Sequence, residues 1–552
     1  MTTTSTAKDP SEQQNTPPVR ENSRAGAVFI AAGIFASRIA GLVRERVFAH
    51  YFGNSAAADA FKAAQKIPNF LQNLFGEGVL SASFIPVYAR LLSEKSNIEA
   101  DRIAGVIATL LAIMTSILAL VGVVATPLLI DVIAPGFVGD KRELAIHLVQ
   151  ILFPGIALLV MSAWCLGVLN SHRRFFLSYA APVVWNVAII AAMVFWGGGA
   201  TEESLAIKTA WGLVVGSFLQ FAIQLPVVLK LLTRFRPSLD IRSSPVQSIL
   251  KNFSSMVIAR GVVQVSAYVD NMLASLLPTG AVAILGYAQT LYLLPISVFG
   301  MSVSAASLAE MSRSRGETAL VSANESNEVL RKQLEQGLRH ILFFIVPSMA
   351  AYLVLGDVII AALYKTGKFA AKDVNSVWWA LMGCSVGLLA STFGRLYAST
   401  YYALMDTRSP LRMAVVRVTC STTLGYLAGI QLPARLGLDP SWGIVCLTVA
   451  SSLGAWVEFL LLRYGLHVRV GAVSLPWSLV WRIGTAAIGS SVSGLLVKMA
   501  VDAWLPRFPA YVKALPILGV FGVAYLSIAA VLGIPEVTRF TDKVKRRVQR
   551  RR

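Results

Sequence analysis

Charged side chains inside apolar stretches are the residues of this sequence best suited to chemistry. An ionisable group at the centre of a membrane-spanning helix costs about 2.5–3.5 kcal/mol, so such groups usually face a bundle interior or an aqueous cavity. Arginine keeps its charge there, and its planar fork of donors can bind a phosphate through two hydrogen bonds. Eight basic residues lie in apolar stretches: Arg38, Arg44, Arg46, Arg260, Arg395, Arg417, Arg482 and Lys498.

Arg38 and Arg44 are the two candidates nearest the start of the chain. They are six residues apart, which on a helix turns their side chains about 120° from each other. They can therefore line one wide cavity, although they do not stack on a single face. Such a pair suits a phosphate-bearing amphiphile. The alternative is that Arg44, Glu45 and Arg46 form an ion-pair cluster between helices or at the membrane interface.

Acidic residues form a second set within or beside the same stretches: Asp59, Glu77, Asp270, Glu310, Asp357, Asp406 and Glu458. Asp270 follows Arg260 by ten residues, about 15 Å along a helix, which is too far for a direct ion pair. It therefore needs another partner, such as a bound cation or a proton. The equally open alternative is that neighbouring hydroxyl and amide groups donate hydrogen bonds to the Asp270 carboxylate.

Asp406 begins the segment Asp-Thr-Arg-Ser-Pro between two apolar stretches. An aspartate in this position is typical of a turn, because its carboxylate accepts hydrogen bonds from the following backbone. A cation site shared with Asp270 is the alternative, since hard cations prefer oxygen ligands.

Composition excludes most soluble classes of protein. The 552 residues are 55% hydrophobic and 14% charged, against roughly 25% charged residues in soluble domains. The net charge of +20 collects in the last 14 residues and between apolar stretches, without a nucleic-acid-binding motif. The five histidines lack metal-binding spacing, no P-loop is present, and the four cysteines lie in apolar runs. We therefore expect that the protein binds no nucleic acid, is not an enzyme and holds no resident cofactor.

The long apolar stretches predict an all-α polytopic membrane protein with about 14 transmembrane helices. The predicted spans are 26–51, 69–92, 103–133, 144–169, 179–197, 206–232, 250–277, 281–311, 338–363, 376–404, 411–432, 441–463, 479–503 and 511–533.

Loop charges predict the orientation of these spans. With both termini in the cytoplasm, thirty basic loop and tail residues face the cytoplasm and eleven, Lys62 and Lys66 among them, face the other side. Counting spans suggests a disordered cytoplasmic N-terminus (1–24), a first lobe (25–250), a second lobe (251–464), two further helices (465–535) and a basic cytoplasmic tail (536–552).

The segment SRIAGLVRERVFAHYFGNSAAADAFKAAQKIPNFLQNLFGEGVLSASFIPVY, residues 37–88, resembles the MurJ (MviN) family of lipid II flippases in the MOP exporter superfamily. Similar segments recur at 170–186, 264–275, 294–313 and 401–412, so that the likeness covers about residues 25–430. The resemblance implies two six-helix lobes around a cationic cavity, plus two C-terminal helices bounding a groove for a lipid tail.

The same resemblance implies a function and a set of site residues. Family members carry the undecaprenyl-pyrophosphate-linked peptidoglycan precursor from the inner to the outer leaflet of the bacterial inner membrane by alternating access. Membrane lipids and other proteins of cell wall synthesis are further candidate partners. By resemblance, the substrate contacts are Arg38, Arg44, Asp59 and Glu77, and the ion-coupling candidates are Asp270, Asp406, Val418 and Thr422.

This chain also departs from the family pattern. Gln72 and Thr290 stand where the family commonly has arginines, so two cavity charges are missing. We expect Arg260 to restore part of the lost charge. Coupling by a monovalent cation, Na⁺ or H⁺, or by the membrane potential is expected. The rival functions are export of another polyprenyl-linked oligosaccharide or of a drug, and a polytopic glycosyltransferase or ligase.

Overall fold

The computed structural model describes residues 21–94, 96–317, 323–437, 439–473 and 477–537. Most of the predicted disordered N-terminus and basic tail lies outside these ranges. Residues 21–24, predicted to be disordered, instead form the first turn of a helix.

Regular structure in the described residues is helical. The helices are α1 (Glu21–Phe52), α2 (Ala56–Phe75), α3 (Glu77–Ser83), α4 (Ile85–Ser93), α5 (Asn97–Ile133), α6 (Gly139–Ser171), α7 (Phe175–Trp196), α8 (Glu202–Leu231), α9 (Ser244–Ser275), α10 (Ala281–Pro295), α11 (Met301–Glu317), α12 (Ala323–Tyr364), α13 (Ala371–Val386), α14 (Leu388–Ala403), α15 (Arg408–Tyr426), α16 (Leu432–Leu436), α17 (Trp442–Val470), α18 (Trp477–Trp504) and α19 (Ala510–Val531). Short π-helical segments, Ile296–Gly300 and Leu427–Gln431, join α10 to α11 and α15 to α16.

These helices confirm an all-α, multi-pass membrane protein. Ten described helical stretches are long and apolar enough to cross a membrane, and α13 with α14 makes an eleventh if that bent pair is one span. The predicted spans at 26–51, 69–92 and 250–277 are also helical but do not meet the same test in the described residues. The stretches 26–51 and 250–277 carry intramembrane charges, whereas 69–92 is divided among shorter helices.

The second predicted span differs most from its sequence-based bounds. It begins at Ala56 instead of residue 69, and it is broken into α2, α3 and α4. Ser55 caps α2 by accepting a hydrogen bond from the amide of Ala58, and Gly76 interrupts the helix after Phe75. As a result, Lys62 and Lys66 lie within α2 rather than in a loop, which corrects the charge tally.

We refer to α1–α8 as the first half and α9–α17 as the second half, although α9 also packs against α2, α3 and α5. In the first half, α1–α8, α7 packs against α1 and α8, and α6 packs against α2, α5 and α8. In the second half, α9–α17, α17 packs against α13, α14 and α15. Helices α18 and α19 pack against each other and against α12. The division of the chain into separate lobes at residue 250 stays a prediction.

The bend between α13 and α14 shows how one of the broken spans is stabilised. The two helices meet at 41° around Gly387, where a Cβ atom would lie 2.7 Å from the Ser452 hydroxyl oxygen. That hydroxyl donates to the carbonyl of Gly383, 2.6 Å away. A side chain of α17 thus satisfies a backbone group near the kink, as kinked membrane helices require.

Candidate functional site

The centre of the candidate site is a buried cluster of one carboxylate and two cations. Glu45 on α1 accepts a hydrogen bond from Arg44 Nη2 at 2.9 Å and a second from Lys62 Nζ on α2. Two positive charges therefore surround one negative charge, and the three residues together carry a net charge of +1. A buried carboxylate requires such partners because its desolvation is costly.

Aromatic rings complete the surroundings of this cluster. The Arg44 guanidinium lies 5.0 Å from the centre of the Trp185 ring, and Lys62 Nζ lies 4.6 Å from the Phe48 ring and 5.2 Å from the Tyr287 ring. Ring faces attract cations, so they hold both side chains in place without neutralising them. Arg44 keeps 18% of its side chain accessible, whereas Glu45 keeps 6%. The positive charge is thus more accessible than the negative one.

Lys66 adds a further cation one helical turn beyond Lys62. Its Nζ donates to the side-chain oxygen of Gln289 on α10 at 3.1 Å, and Tyr268 donates to its backbone carbonyl. Because Gln289 is neutral, this contact orients Lys66 without pairing its charge, and the carboxylates of Asp270 and Glu45 lie within electrostatic range. Residues 62 and 66 share one face of α2, which points toward α10. Sequence reasoning missed both lysines, since α2 starts in a stretch too polar to be recognised as a span.

The other predicted substrate contacts on these elements are only partly placed. Arg38 is exposed on α1, and its guanidinium makes no hydrogen bond or ion pair with another described side chain. Glu77 begins α3 and Arg260 lies on α9, but their side chains are outside what the structure describes. Their proposed substrate contacts stay predictions.

Asp59 lies between the two halves, where its carboxylate binds the N-terminus of a helix. Its carboxylate is fully buried and accepts hydrogen bonds from the backbone amides of Gly280 at 2.7 Å and Ala283 at 2.8 Å. Lys141 on α6 donates to the same carboxylate at 2.6 Å. An acidic side chain of the first half therefore caps the N-terminus of α10, where unpaired amides and the helix dipole favour a negative charge.

Further contacts join the two halves at the same end of the bundle. Arg46 donates to the carbonyls of Ala362 and Leu363, in the last turn of α12, at 2.6 and 2.9 Å. His50 Nδ1 lies 2.8 Å from Thr366 Oγ1, and the backbone amide of Lys368 donates to the His50 carbonyl at 2.8 Å.

Two polar contacts extend this set. Asn54 donates to Asp373 at 3.0 Å, and Tyr287 donates to the carbonyl of Gly53 at 3.0 Å. We call the contacts of residues 46–59 with residues 280–287 and 362–373 the interhalf clamp. It closes the bundle at the end where α1 terminates.

A second group of charges lies in the second half. Arg417 on α15 donates to Glu458 on α17 at 2.9 Å. Arg395 on α14 is exposed, and Tyr292 on α10 donates to Ser391, one turn before it, at 2.8 Å. The sequence marks both arginines as intramembrane charges, but only the fold brings them near Tyr292.

The ion-coupling candidates are not brought together as one site. Asp270 accepts a hydrogen bond from Ser451 on α17 at 3.1 Å. Thr422 donates to the carbonyl of Val418 within α15 at 2.7 Å. Asp406 lies before the first turn of α15, about 24 Å along that helix from Thr422 at 1.5 Å per residue.

Asp406 is occupied by its own turn. It accepts hydrogen bonds from the amide and hydroxyl of Ser409, at 3.0 and 2.6 Å, and from Arg469 on α17. The hydrogen bonds from Ser409, reinforced by the charge of Arg469, hold the pKa of Asp406 well below its ordinary value. This geometry is that of a turn-forming aspartate. Within the described ranges, no group of three or more His, Cys, Asp or Glu residues could hold a metal ion.

The amino-acid sequence is similar to those of a known protein family. The family model described as "Lipid II flippase MurJ" matches residues 48–510. The lipid II flippase MurJ of Burkholderia cenocepacia is 30% identical over 439 residues, covering 78% of this chain and 81% of that protein. The probable lipid II flippase MurJ of Vibrio cholerae serotype O1 is 28% identical over 524 residues, covering 92% and 95%.

Solved structures show the same fold. A structure described as lipid II flippase MurJ in an inward closed conformation superposes with a TM-score of 0.71 at 24% identity, covering 91% of this chain and 98% of that one. An inward-facing multidrug resistance MATE transporter of the MOP superfamily superposes with a TM-score of 0.64 at 16% identity, covering 81% and 98%. These likenesses show that the chain has the fold of both structures. Because the family model spans most of its length, the chain belongs to the lipid II flippase MurJ family.

Proposed function

We propose that this protein moves lipid II from the inner to the outer leaflet of the bacterial cytoplasmic membrane, for cell wall synthesis. The observation that carries the proposal is the buried surplus of positive charge formed by Arg44 and Lys62 around Glu45. A pyrophosphate has the complementary charge and geometry, and arginine can bind it through two hydrogen bonds. Membership of the family supports the same cargo.

The physical task is to carry a charged, sugar-bearing headgroup across about 30 Å of hydrocarbon while its polyprenyl tail stays in lipid. A cationic groove between the halves serves the headgroup. Arg38 is exposed and Arg44 is partly accessible, so both are available to the pyrophosphate. Lys66 supplies charge where Gln72 and Thr290 lack it. Glu77 and Arg260 remain proposed members of this groove.

The polyprenyl tail needs an apolar path beside the groove. Helices α18 and α19 pack against α12 and expose apolar side chains in helical register, among them Ile488, Val492 and Leu496 on α18. We assign residues 465–535 to the boundary of this path. A lateral opening there lets the tail remain in the bilayer while the headgroup moves.

Alternating access follows from the position of the interhalf clamp. The clamp joins the halves at one end of the bundle, and we propose that cargo enters from the other end and leaves after the clamp opens. Without Lys62 and Lys66, which contact side chains in the interior of the bundle, the predicted tally is thirty against nine basic residues, which favours both termini in the cytoplasm. The clamp then lies at the outer side.

Energy for the cycle comes from the membrane potential or from a monovalent cation. One elementary charge crossing 100 mV gains about 2.3 kcal/mol, enough to shift a two-state equilibrium. Asp270 is the proposed coupling group, since it lies in the second half with a hydroxyl partner but no cationic ion-pair partner among the described residues.

Depletion of the protein in growing cells tests the function. Labelled lipid-linked precursor should accumulate in the inner leaflet and become inaccessible to a probe added outside, and an intact copy of the gene should restore access. Unchanged access after depletion would refute the proposal. An Arg44→Ala variant that reaches the membrane at normal levels should fail to restore access.

The likeness to a multidrug transporter favours one rival function, drug export. A cationic cluster repels the cationic drugs that such a cavity would have to bind. Drug accumulation measured in the same depleted cells separates the two functions, because only a drug exporter would change it directly.

A further inference from the structure

We propose that Arg395 forms a second anion-binding subsite, in the second half, that takes a carboxylate of the cargo peptide. The inference rests on the proposed function and assigns part of the headgroup to a different place from the pyrophosphate. Lipid II carries its pentapeptide beyond the pyrophosphate and the first sugar, so the peptide carboxylates need cationic partners of their own.

The accessible side of α14 is a narrow polar stripe. Most of the helix is buried, whereas Ser391, Arg395 and Tyr402 lie on one side at intervals of four and seven residues and are accessible. An arginine directed into hydrocarbon would be costly, and its neighbours on the stripe are polar. We therefore infer that the stripe faces an aqueous space.

The charge of Arg395 is available to a ligand. Its guanidinium has no hydrogen bond or ion pair with any described side chain, while the neighbouring Arg417 is paired with Glu458. Arg395 also lies within electrostatic range of Arg417 and Tyr292. Arg395, Arg417 and Glu458 together carry a net charge of +1. Because Arg417 is paired with Glu458, the charge of Arg395 and its two-pronged donor set remain available to a carboxylate.

Helix α10 connects this stripe with the first cation cluster. Gln289 holds Lys66, and Tyr292, three residues further on the same side of the helix, donates to Ser391 on α14. A headgroup whose pyrophosphate meets Arg44 and Lys66 therefore extends along α10 toward Arg395. The two halves bind different parts of one cargo, so the cargo itself links their movements.

Binding measurements on the full-length protein in nanodiscs test the subsite. The probes are lipid II with its complete pentapeptide, lipid II with amidated peptide carboxylates, and undecaprenyl pyrophosphate. Arg395→Gln should weaken the binding of complete lipid II about tenfold, which corresponds to the loss of one charge-assisted hydrogen-bonded pair. The variant should bind undecaprenyl pyrophosphate as tightly as the intact protein does. Amidated lipid II should bind the intact protein about tenfold more weakly, with no further loss in the variant.

Two companion variants keep the result interpretable. Arg412→Gln, which removes an exposed arginine at the start of α15, should bind each of the three probes with the same affinity as the intact protein does. Arg395→Lys should recover part of the lost affinity, because it restores charge without the planar fork. Equal weakening of complete lipid II and undecaprenyl pyrophosphate by Arg395→Gln would overturn the proposal, as would no change for either. An intact protein that binds neither lipid would instead refute the proposed function.

Discussion

The carboxylate of Asp59 on α2 accepts a hydrogen bond from the backbone amide of Gly280, 2.7 Å away, at the N-terminus of α10. Gly280 adopts φ +99°, and a Cβ atom there would lie 2.8 Å from the carbonyl oxygen of Asn54. Only glycine fits this left-handed, close-packed position without strain. One carboxylate of the first half thus holds the beginning of a helix of the second half, and it must release that helix whenever the clamp opens.

Asp59→Asn should weaken the clamp. The variant loses the charge that complements both the helix terminus and Lys141, which we expect to destabilise the closed conformation by about 1–3 kcal/mol. Distances between spin labels placed on α1 and α13 should become longer or more broadly distributed. Asp131→Asn, at an exposed ion pair with Arg142, is the control and should leave them unchanged. A distance distribution identical to that of the intact protein would contradict this role for Asp59.

Locking the clamp should stop transport reversibly. His50 and Thr366 touch across the two halves, so His50→Cys with Thr366→Cys should form a disulfide under oxidation in a background lacking the four free native cysteines. We expect precursor export to stop on oxidation and to resume after reduction. Each single-cysteine variant should export normally under both conditions. Continued export by the fully cross-linked protein would show that the clamp does not open during the cycle.

The buried pair of Lys62 and Glu45 should behave as a coupled unit. Glu45→Gln leaves Lys62 and Arg44 without a counter-charge, which we expect to lower the free energy of unfolding by about 3 kcal/mol. Adding Lys62→Met removes the buried unpaired cation and should recover most of the loss, because the remaining charge of Arg44 is partly accessible. Denaturant unfolding of the two single variants and the double variant in detergent gives the coupling energy. Additive losses would mean that the two side chains do not depend on each other.

The charge of Lys66 should contribute to cargo binding. Gln289→Glu converts its neutral partner into a carboxylate that neutralises it, so we expect about tenfold weaker binding of lipid II. Binding should be measured by titration in nanodiscs at two ionic strengths. Gln150→Glu on α6 makes the same chemical change away from the cluster and should have no effect. Equal affinities of the Gln289 variant and the intact protein would exclude Lys66 from the site.

Asp406 should stabilise its turn in a pH-dependent way. Because its pKa is lowered in the folded protein, its stabilisation is fully present above the ordinary aspartate pKa, near 4, and is lost as the pH falls through the lower folded value. Asp406→Asn should therefore reduce thermal stability at pH 7, with the difference shrinking below about pH 4. Ion dependence of transport should be unaffected in this variant. Loss of that dependence would show that Asp406 takes part in coupling.

Sequence reasoning predicted the helical membrane architecture well because long apolar stretches are a local property of the chain. It also identified Arg44 and Arg417 as intramembrane charges whose burial demands partners. It misplaced Lys62 and Lys66, because α2 begins in a polar stretch whose amphipathic helix is stabilised by packing rather than by its own apolar length.

The sequence by itself determined that charged residues such as Arg44 and Arg417 enter the membrane and that a long series of apolar helices accommodates them. Only the tertiary structure decided their partners. Asp59 meets Gly280 across more than two hundred residues, and Asp406 bonds within its own turn while Asp270 bonds to Ser451 on α17. The physical reason is range: helical periodicity and hydropathy act over a few turns, whereas a buried charge finds its counter-charge or helix end through packing, which brings together residues from any part of the chain.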